Sequence, residues 1–310
     1  MPVWIGTSGW QYDHWRSTFY PEGLAKSRWL DWYASRFATV ESNSAFYRLP
    51  EEKLFEKWAD QTPSDFVMAV KASRYLTHIL RLRDPEAPVK RLLQRVRGLA
   101  HKLGPILLQL PPNLVASTAL LDATLRSFSE SHRVAFEARH ESWFTNDVRS
   151  VLESHGAALC LTDRRNRRSP IWRTTNWTYV RLHEGTASPS PSYGRRALDG
   201  WADRIASQWD PEEDVFCYFN NDENGRAPVD AHRFALSLKR HGLNPTRSGA
   251  AGSHVVEHPD VGFPVLAHPI GHREGGETAG KHIGAVGAEL HSGPTLPVGD
   301  RPLDLHRPRF

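Results

Sequence analysis

The feature that most constrains the fold of this chain is a regular alternation of short apolar runs with amphipathic stretches. Eight runs of strand length are rich in β-branched and aromatic residues. They span residues 3–6, 38–42, 66–71, 106–110, 134–138, 158–162, 178–183 and 215–220. Stretches of helical period lie between most of these runs, and eight such units in about 240 residues match the usual size of a (β/α)8 barrel. We therefore predict an α/β fold with a single TIM-type barrel.

A doubly wound dinucleotide-binding sheet is the competing arrangement of alternating strands and helices. It would carry a glycine-rich phosphate-binding turn directly after the first strand. The residues at that place read GTSGWQ and do not have this pattern. The barrel is therefore the favoured architecture.

The periodicity ends near Asn244, and the rest of the chain is rich in glycine, proline and histidine. It has no sustained apolar face, which is typical of disordered segments. We predict a barrel domain over residues 1–243 and a disordered tail over residues 244–310. The histidines of the tail are irregularly spaced, which favours composition bias over a metal site.

Composition and charge set limits on location and partners. The formal net charge is +4 and the sequence pI is about 9.1, which suits an anionic ligand but is too weak to indicate nucleic acid by itself. The first residues lack the pattern of a signal peptide, and no apolar run approaches the roughly 20 residues of a membrane span. Cys160 and Cys217 lie in apolar runs and are expected to be free, buried core residues. A cytoplasmic protein without membrane contact is expected.

Two of the predicted strands carry paired charges near their ends. Glu137 and Arg139 lie two residues apart, and so do Arg181 and His183. Residues at this spacing point to the same face of a strand, which here is the barrel axis. The carboxyl ends of barrel strands meet at one mouth, where enzymes of this fold build their active sites.

These charges have two interpretations. They form either a structural layer of ion pairs that plugs the barrel or a functional mouth, and the number of polar strand ends favours the mouth. In the functional interpretation, Glu41 or Glu137 acts as a base, and Lys71 or His183 acts as an acid or an electrostatic stabiliser. The candidate catalytic residues are Glu41, Lys71, Glu137, Arg139, Arg181 and His183.

A metal site is a further hypothesis for the same strand ends. Carboxylate and imidazole groups follow four successive strands and suit one divalent cation such as Mn²⁺, Mg²⁺ or Zn²⁺. The candidate ligands are Glu137, Asp163, His183 and Asp222. Hydrogen bonds and ion pairs are the alternative roles of these residues.

Other polar and aromatic residues near the strand ends are candidates for substrate binding. Trp10, Trp15 and Trp143 follow strands and are expected to wall a pocket. The candidates from the strand ends are Thr7, Ser8, Trp10, Asn43, Tyr47, Arg74, His78, Gln109, Trp143, Asn220 and Asn221.

The loop after the sixth strand concentrates arginines beside Trp172. Such a loop either grips phosphate and stacks on bases or is simply solvated surface. Its arginines are Arg164, Arg165, Arg167, Arg168 and Arg173.

The order of motifs over residues 3–242 resembles the YecE-like family, a group described as a domain of unknown function. The motifs include IGTSGWQYDHW, TVESNSAFYRLP, LGPILLQLPP, FEARHESW, YVRLHEG and YFNND. The resemblance implies a TIM-barrel-type fold, sometimes described as related to sugar isomerases, and it adds Tyr193 to the candidate substrate-binding residues. One departure is Glu184, inserted before Gly185 where the family continues directly with glycine, so the loop after strand seven is expected to differ.

The sequence favours an enzyme that acts on a small polar substrate, sugar-like or phosphorylated, at the barrel mouth. The expected chemistry is proton transfer or metal-assisted isomerisation. Two alternatives stay open, namely hydrolysis or binding of nucleic acid and a non-catalytic ligand-binding barrel.

Overall fold

The structure is a computed structural model and describes residues 2–164, 168–187 and 191–249. These residues contain one parallel sheet of nine strands. The strands are β1 (Pro2–Thr7), β2 (Thr39–Ser42), β3 (Val67–Lys71), β4 (Leu103–Gln109), β5 (Val134–Glu137), β6 (Ala158–Thr162), β7 (Trp177–Leu182), β8 (Asp214–Phe219) and β9 (Asn244–Pro245). The first eight correspond to the eight predicted runs, with ends that differ by at most a few residues.

The sheet curls into a barrel. Its hydrogen-bonded order runs from β2 through β8 in sequence and then returns to β1. A parallel bridge between Ser8 and Glu41 joins the carboxyl ends of β1 and β2. The predicted α/β barrel is therefore confirmed, and the eight strand ends surround one mouth.

The amino ends of β1 and β2 are joined by the segment 244–249. In this segment β9 pairs with β1, and the Thr246 N–H donates to the Val3 carbonyl at 2.8 Å. The Ala38 N–H, just before β2, donates to the Arg247 carbonyl at 3.1 Å. The predicted boundary at residue 243 is therefore too early, because these backbone groups complete the barrel. Residues 250–310, the remainder of the predicted tail, lie outside the described residues.

Helices cover the outside of the barrel. They are α1 (Trp29–Ala34), α2 (Ser44–Tyr47), α3 (Glu52–Asp60), α4 (Glu86–Val96), α5 (Thr118–Arg126), α6 (Asn146–Ser154), α7 (Arg195–Gln208) and α8 (Arg226–Arg240). Side-chain oxygens of Ser117 and Thr145 accept from backbone N–H groups in the first turns of α5 and α6 and so cap these helices. Between β6 and β7, residues 163–164 and 168–176 contain no helix.

Apolar side chains form two layers, one on each side of the strands. Outward-facing residues such as Leu182 pack beneath the helices in the larger layer. Inward-facing residues fill the barrel in the smaller layer, which includes Cys160, Tyr179 and Tyr218. Cys160 and Cys217 are free and buried, as predicted. The interior is thus packed from the amino end up to the polar strand ends, so any ligand must enter at the mouth.

Candidate active site

A buried trio of charges closes the barrel below its mouth. Arg181 Nη1 donates to Glu137 Oε2 at 2.6 Å, and Nη2 donates to Glu41 Oε1 at 2.9 Å. None of the three side chains is more than 2% exposed. Arg181 extends inward from β7 between carboxylates from β2 and β5, as the two-residue alternation predicts. One cation is therefore held between two anions at the centre of the barrel.

Further hydrogen bonds fix both carboxylates. The Tyr179 hydroxyl donates to Glu41 at 2.7 Å, and the Gln109 amide donates to Glu137 at 2.8 Å. Burial by itself raises the pKa of Glu137, but the surrounding charges and hydrogen bonds, of which the Arg181 charge is the largest, together outweigh it and hold this pKa well below its ordinary value. A carboxylate that keeps its charge so firmly is a weak proton acceptor, so Glu137 suits a positioning role better than the predicted role of a base.

A pocket of about 410 Å³ opens on the β2–β5 side of the mouth. Three cationic side chains, Lys71, Arg74 and Arg139, line it. Its other lining residues are Phe46, Tyr47, His78 and Gln109. Among the described residues no carboxylate lines this pocket. Arg139 Nε also donates to Glu137 Oε1 at 3.2 Å, and Glu137 is not a lining residue. The pocket therefore favours an anionic ligand.

Lys71 is the deepest cation of this pocket. Its side chain extends from the last residue of β3, is only 8% exposed and places Nζ 3.9 Å from the centre of the Phe46 ring. Its amine makes no hydrogen bond to any described residue. Burial, together with the charges of Arg181 and Arg139, lowers the pKa of Lys71 to about 8. This amine is therefore partly neutral at physiological pH.

Two histidines at the mouth are neutral at pH 7. Burial and the nearby Lys71 charge lower the pKa of His78 to about 4. Burial also lowers the pKa of His183 well below its usual value. His183 Nδ1 lies 3.0 Å from the Asn220 amide, whereas Nε2 lies 3.7 Å from Glu137 Oε1 without a hydrogen bond to any described residue.

A second pocket of similar volume lies on the β7–β8 side of the mouth. Its lining residues are His183, Glu184, Gly185, Pro191, Asn220, Asn221, Asp222 and Glu223. Asp222 accepts from Trp15 Nε1 at 2.6 Å and lies 2.9 Å from His14 Nε2. Burial raises the pKa of Asp222 to about 6. The mouth therefore has a cationic side and a side that is amide-rich and acidic.

The four predicted metal ligands do not come together. Asp163 accepts from the backbone N–H of His183 at 2.8 Å and from the Tyr193 hydroxyl, and Asp222 is held by Trp15. Among the described residues there is no group of three or more histidine, cysteine or acidic side chains that suits a metal ion. Asp163 and Asp222 are held by these separate partners, so the described residues do not assemble the predicted quartet around a divalent cation.

Some of the predicted substrate-binding residues line one of the two pockets, and the rest do not. Tyr47, Arg74, His78 and Gln109 line the cationic pocket, and Asn220 and Asn221 line the second pocket. The others are internal: Thr7, Ser8, Trp10, Asn43, Trp143 and Tyr193.

The internal group holds the mouth together. Asn43 Nδ2 donates to Ser8 Oγ at 3.0 Å, and Ser8 Oγ donates to Glu41. Thr7 Oγ1 donates to the Gly9 carbonyl at 2.6 Å. These contacts fasten the loop after β1 to the buried trio.

The aromatic members of this group are packing residues, not the predicted pocket walls. Trp10 packs edge-on against Trp58 in the core. Trp143 is buried and donates from Nε1 to the Leu114 carbonyl at 2.7 Å. Tyr193 is buried, and its hydroxyl accepts from the Glu184 N–H at 2.9 Å, so the inserted Glu184 is held within the loop after β7.

The described arginines of the predicted loop do not all lie at the mouth. Arg173 Nη2 lies 3.0 Å from Asp210, just before β8, and is therefore at the amino end of the barrel. Arg164 is half-buried, and burial lowers its pKa. Arg165 and Arg167 lie outside the described residues.

Two residues that the sequence did not assign to the site take part in it. Phe46 supplies the ring beneath the Lys71 amine, and Tyr179 donates to Glu41. Tyr179 precedes Arg181 by two residues on the same strand, so the alternation carried a signal for it. The position of Phe46 depends on the loop after β2, which has no comparable periodicity.

The fold and the mouth together define a TIM-type barrel protein with a polar site at the carboxyl ends of its strands. The family model described as "Protein of unknown function DUF72" matches residues 4–251. The chain therefore belongs to the DUF72 family, and the YecE-like resemblance inferred from the motifs is confirmed.

Named relatives match over most of their length. The UPF0759 protein YunF of Bacillus subtilis is 26% identical over 281 residues, which cover 78% of this chain and 98% of YunF. The UPF0759 protein YecE of Escherichia coli K12 is 23% identical over 266 residues, which cover 77% and 93%. The crystal structure of a DUF72 family protein from Thermotoga maritima is similar with a TM-score of 0.66 and 25% identity, over 78% of this chain and 99% of that one.

Among the helices of the described part of the chain, none combines the length and the apolar character that a membrane span requires.

Proposed function

We propose that this protein is an enzyme that binds a small phosphorylated or otherwise anionic, sugar-like substrate at the barrel mouth and transfers a proton to or from it. The observation that carries the proposal is the cationic pocket, in which Arg74 and Arg139 flank the deep amine of Lys71. The Lys71 amine is buried and has no hydrogen-bond partner among the described residues. A site that only binds an anion does not need such an amine, whereas proton transfer does.

The three cations have different parts in this proposal. Arg74 is exposed at the rim and Arg139 lies deeper, and guanidinium groups bind phosphate or carboxylate oxygens through paired hydrogen bonds. Lys71 has a pKa of about 8, so it exchanges a proton readily near neutral pH. An anion bound by the arginines would bring the reacting carbon of a short substrate to this amine.

The buried trio supports this chemistry without taking part in it. Glu41 and Glu137 neutralise Arg181 and hold it in place. The amide side chain of Asn220 on the other side of the mouth suits a hydroxyl group of a sugar-like substrate, whereas the amide of Asn221 is buried and donates to Pro191 and Asp230. Among the described residues the nucleic-acid hypothesis has no comparable support, because Arg173 lies at the opposite end of the barrel.

Hydrogen exchange on candidate substrates tests the proposal. Sugar phosphates with a carbonyl group are incubated with the protein in deuterium oxide, and deuterium on the carbon next to the carbonyl is measured by mass spectrometry. We expect exchange with the native protein, loss of exchange in Lys71→Met and normal exchange in Lys90→Met, which changes an exposed lysine on α4.

The anion contact has its own pair of variants. Arg74→Gln should raise the KM for exchange with little change in kcat, because it removes substrate binding and leaves the amine. Arg91→Gln removes an exposed arginine from α4 and should change neither constant. Binding of inorganic phosphate at the pocket with no exchange on any sugar phosphate would contradict the enzyme proposal and favour a ligand-binding barrel.

A further inference from the structure

We propose that Lys71 is a nucleophile that forms a covalent imine with the aldehyde or ketone group of a substrate that also carries a phosphate or carboxylate. The inference rests on the proposed function for the anion-binding role of Arg74 and Arg139. It goes further because it names the substrate class and a covalent intermediate.

The geometry around Lys71 suits attack on a carbonyl group. The amine lies over the Phe46 ring at the wall of a pocket of about 410 Å³. It makes no hydrogen bond to any described residue. Its stem is anchored in β3, and the side chain is 8% exposed. The nitrogen is therefore shielded from bulk solvent and still open to a ligand in the pocket.

Lys102 provides a comparison within the same chain. It is buried to the same degree, 7% exposed, but its amine donates to the Ala59 carbonyl and to the Thr62 carbonyl at 2.7 Å, and it also contacts Thr62 Oγ1. Lys102 is thus a structural lysine whose protons are bound by oxygen atoms. Burial alone does not distinguish the two lysines, whereas the missing partners at Lys71 do.

The charges that face Lys71 favour its neutral form. Arg181 and Arg139 face it from β7 and from the end of β5, and Arg74 and His78 line the same pocket. Glu41 and Glu137 act in the opposite direction, but Arg181 lies between them.

A lower pKa makes more of the reactive amine available. Burial is the largest cause of the shift, and the resulting pKa is about 8 instead of 10.5. The neutral fraction at pH 7 is then roughly 300-fold larger than for an ordinary lysine. A desolvated lysine beside other cations is a recognised kind of activated nucleophile.

The covalent step balances without an oxidant or a further reactant. The neutral Lys71 nitrogen attacks the carbonyl carbon, a C–N bond forms, and a proton moves from nitrogen to oxygen to give a carbinolamine. A solvent proton then assists loss of water as the C–O bond breaks, which leaves a protonated imine. The positive nitrogen withdraws electrons and acidifies the neighbouring C–H, whose proton passes to the neutral imidazole of His78 in the same pocket or to water, since the Lys71 nitrogen is then bonded to the substrate.

Reductive trapping tests the imine with a matched pair of probes. The full chain is incubated with glycolaldehyde phosphate or with glycolaldehyde, reduced with borohydride and mapped by peptide mass spectrometry. We expect the phosphorylated probe to label Lys71 roughly tenfold or more faster than the exposed Lys90, with Lys102 unlabelled. Labelling should rise as the pH passes through about 8, and inorganic phosphate should slow it.

Arg74→Gln keeps the amine and removes one anion contact, so it separates the two parts of the inference. It should slow labelling by the phosphorylated probe several-fold more than labelling by glycolaldehyde, which has no phosphate for Arg74 to bind. Circular dichroism of each variant checks that the barrel is folded.

The outcomes distinguish the two proposals. Equal labelling of Lys71 and Lys90, with phosphate still binding at the pocket, would overturn the imine and leave the proposed function standing. Selective labelling of Lys71 without preference for the phosphorylated probe would support the nucleophile and contradict the anionic substrate. Neither phosphate binding nor selective labelling would overturn both.

Discussion

The guanidinium of Arg181 lies 2.6 Å from Glu137 Oε2 inside the barrel, and both side chains are almost completely buried. A buried cation of this kind is stable only while its partners stay charged. The pair therefore belongs to the packing of the barrel as much as to its mouth.

We expect Glu137→Gln to destabilise the protein by about 3–5 kcal/mol, because Arg181 would keep only the Glu41 carboxylate. Urea unfolding at pH 7 measures the change. Glu153→Gln is the matched control, since Glu153 pairs with Arg149 at 2.8 Å on the surface and should change stability by less than about 1 kcal/mol. Equal effects of the two substitutions would contradict the structural role of Glu137.

The same carboxylate predicts how stability depends on acid. The folded-state pKa of Glu137 lies well below its ordinary value of 4.5, so the unfolded chain takes up a proton first as the pH falls. Its contribution is complete above about pH 5 and is lost progressively at lower pH. Unfolding curves of the native protein and Glu137→Gln should therefore converge on acidification, and a constant difference down to about pH 2 would refute this account.

The charged form of Lys71 should lower the stability of the folded protein, whereas the charged form of Glu137 raises it. Its folded-state pKa is depressed, so the cost of burying the ammonium group is fully present below about pH 8 and disappears above about pH 10.5. Lys71→Met should therefore stabilise the protein at pH 7 by about 1–3 kcal/mol, with a smaller gain at pH 10. A variant that is less stable than the native protein at pH 7 would show that the amine has a structural partner.

The segment 244–249 should be part of the folded barrel. Thr246→Pro removes the N–H that donates to the Val3 carbonyl at 2.8 Å, and we expect a loss of about 1–3 kcal/mol in thermal or urea unfolding. Thr246→Val keeps this N–H and the β-branched shape and removes only the hydroxyl, which donates to the same carbonyl at 3.2 Å, so it serves as the control for the side chain and should cost less than Thr246→Pro. If both variants unfolded like the native protein, the segment would not contribute to closure.

Most of the fold could be predicted because strand and helix periods are local properties of the sequence. The strand over 158–162 was predicted with its observed ends, and the paired charges at Glu137 and Arg181 were assigned to the correct face. The strand β9 could not be predicted, because its pairing depends on backbone hydrogen bonds to β1 and not on any periodicity.

The sequence predicted which polar residues lie at the strand ends, but it did not predict how their side chains pair. Spacing brings Arg181 and Glu137 to the axis, yet it does not tell which charges neutralise one another and which stay open to a ligand. Asp163 and Asp222 lie just beyond strands, where loop geometry turns them toward Tyr193 and Trp15. The distances in the folded chain are needed to tell which charged residues form the buried trio and which line the cationic pocket.

The titration of the Lys71 amine is the most direct test of the central claim that an activated lysine lies in an anion-binding pocket. The full chain is labelled with carbon-13 at the lysine ε position, and the Lys71 signal is identified by its loss in Lys71→Met. We expect a pKa of about 8 that rises when inorganic phosphate is added, because a bound anion favours the charged amine. A titration near 10.5 that phosphate does not move would contradict it.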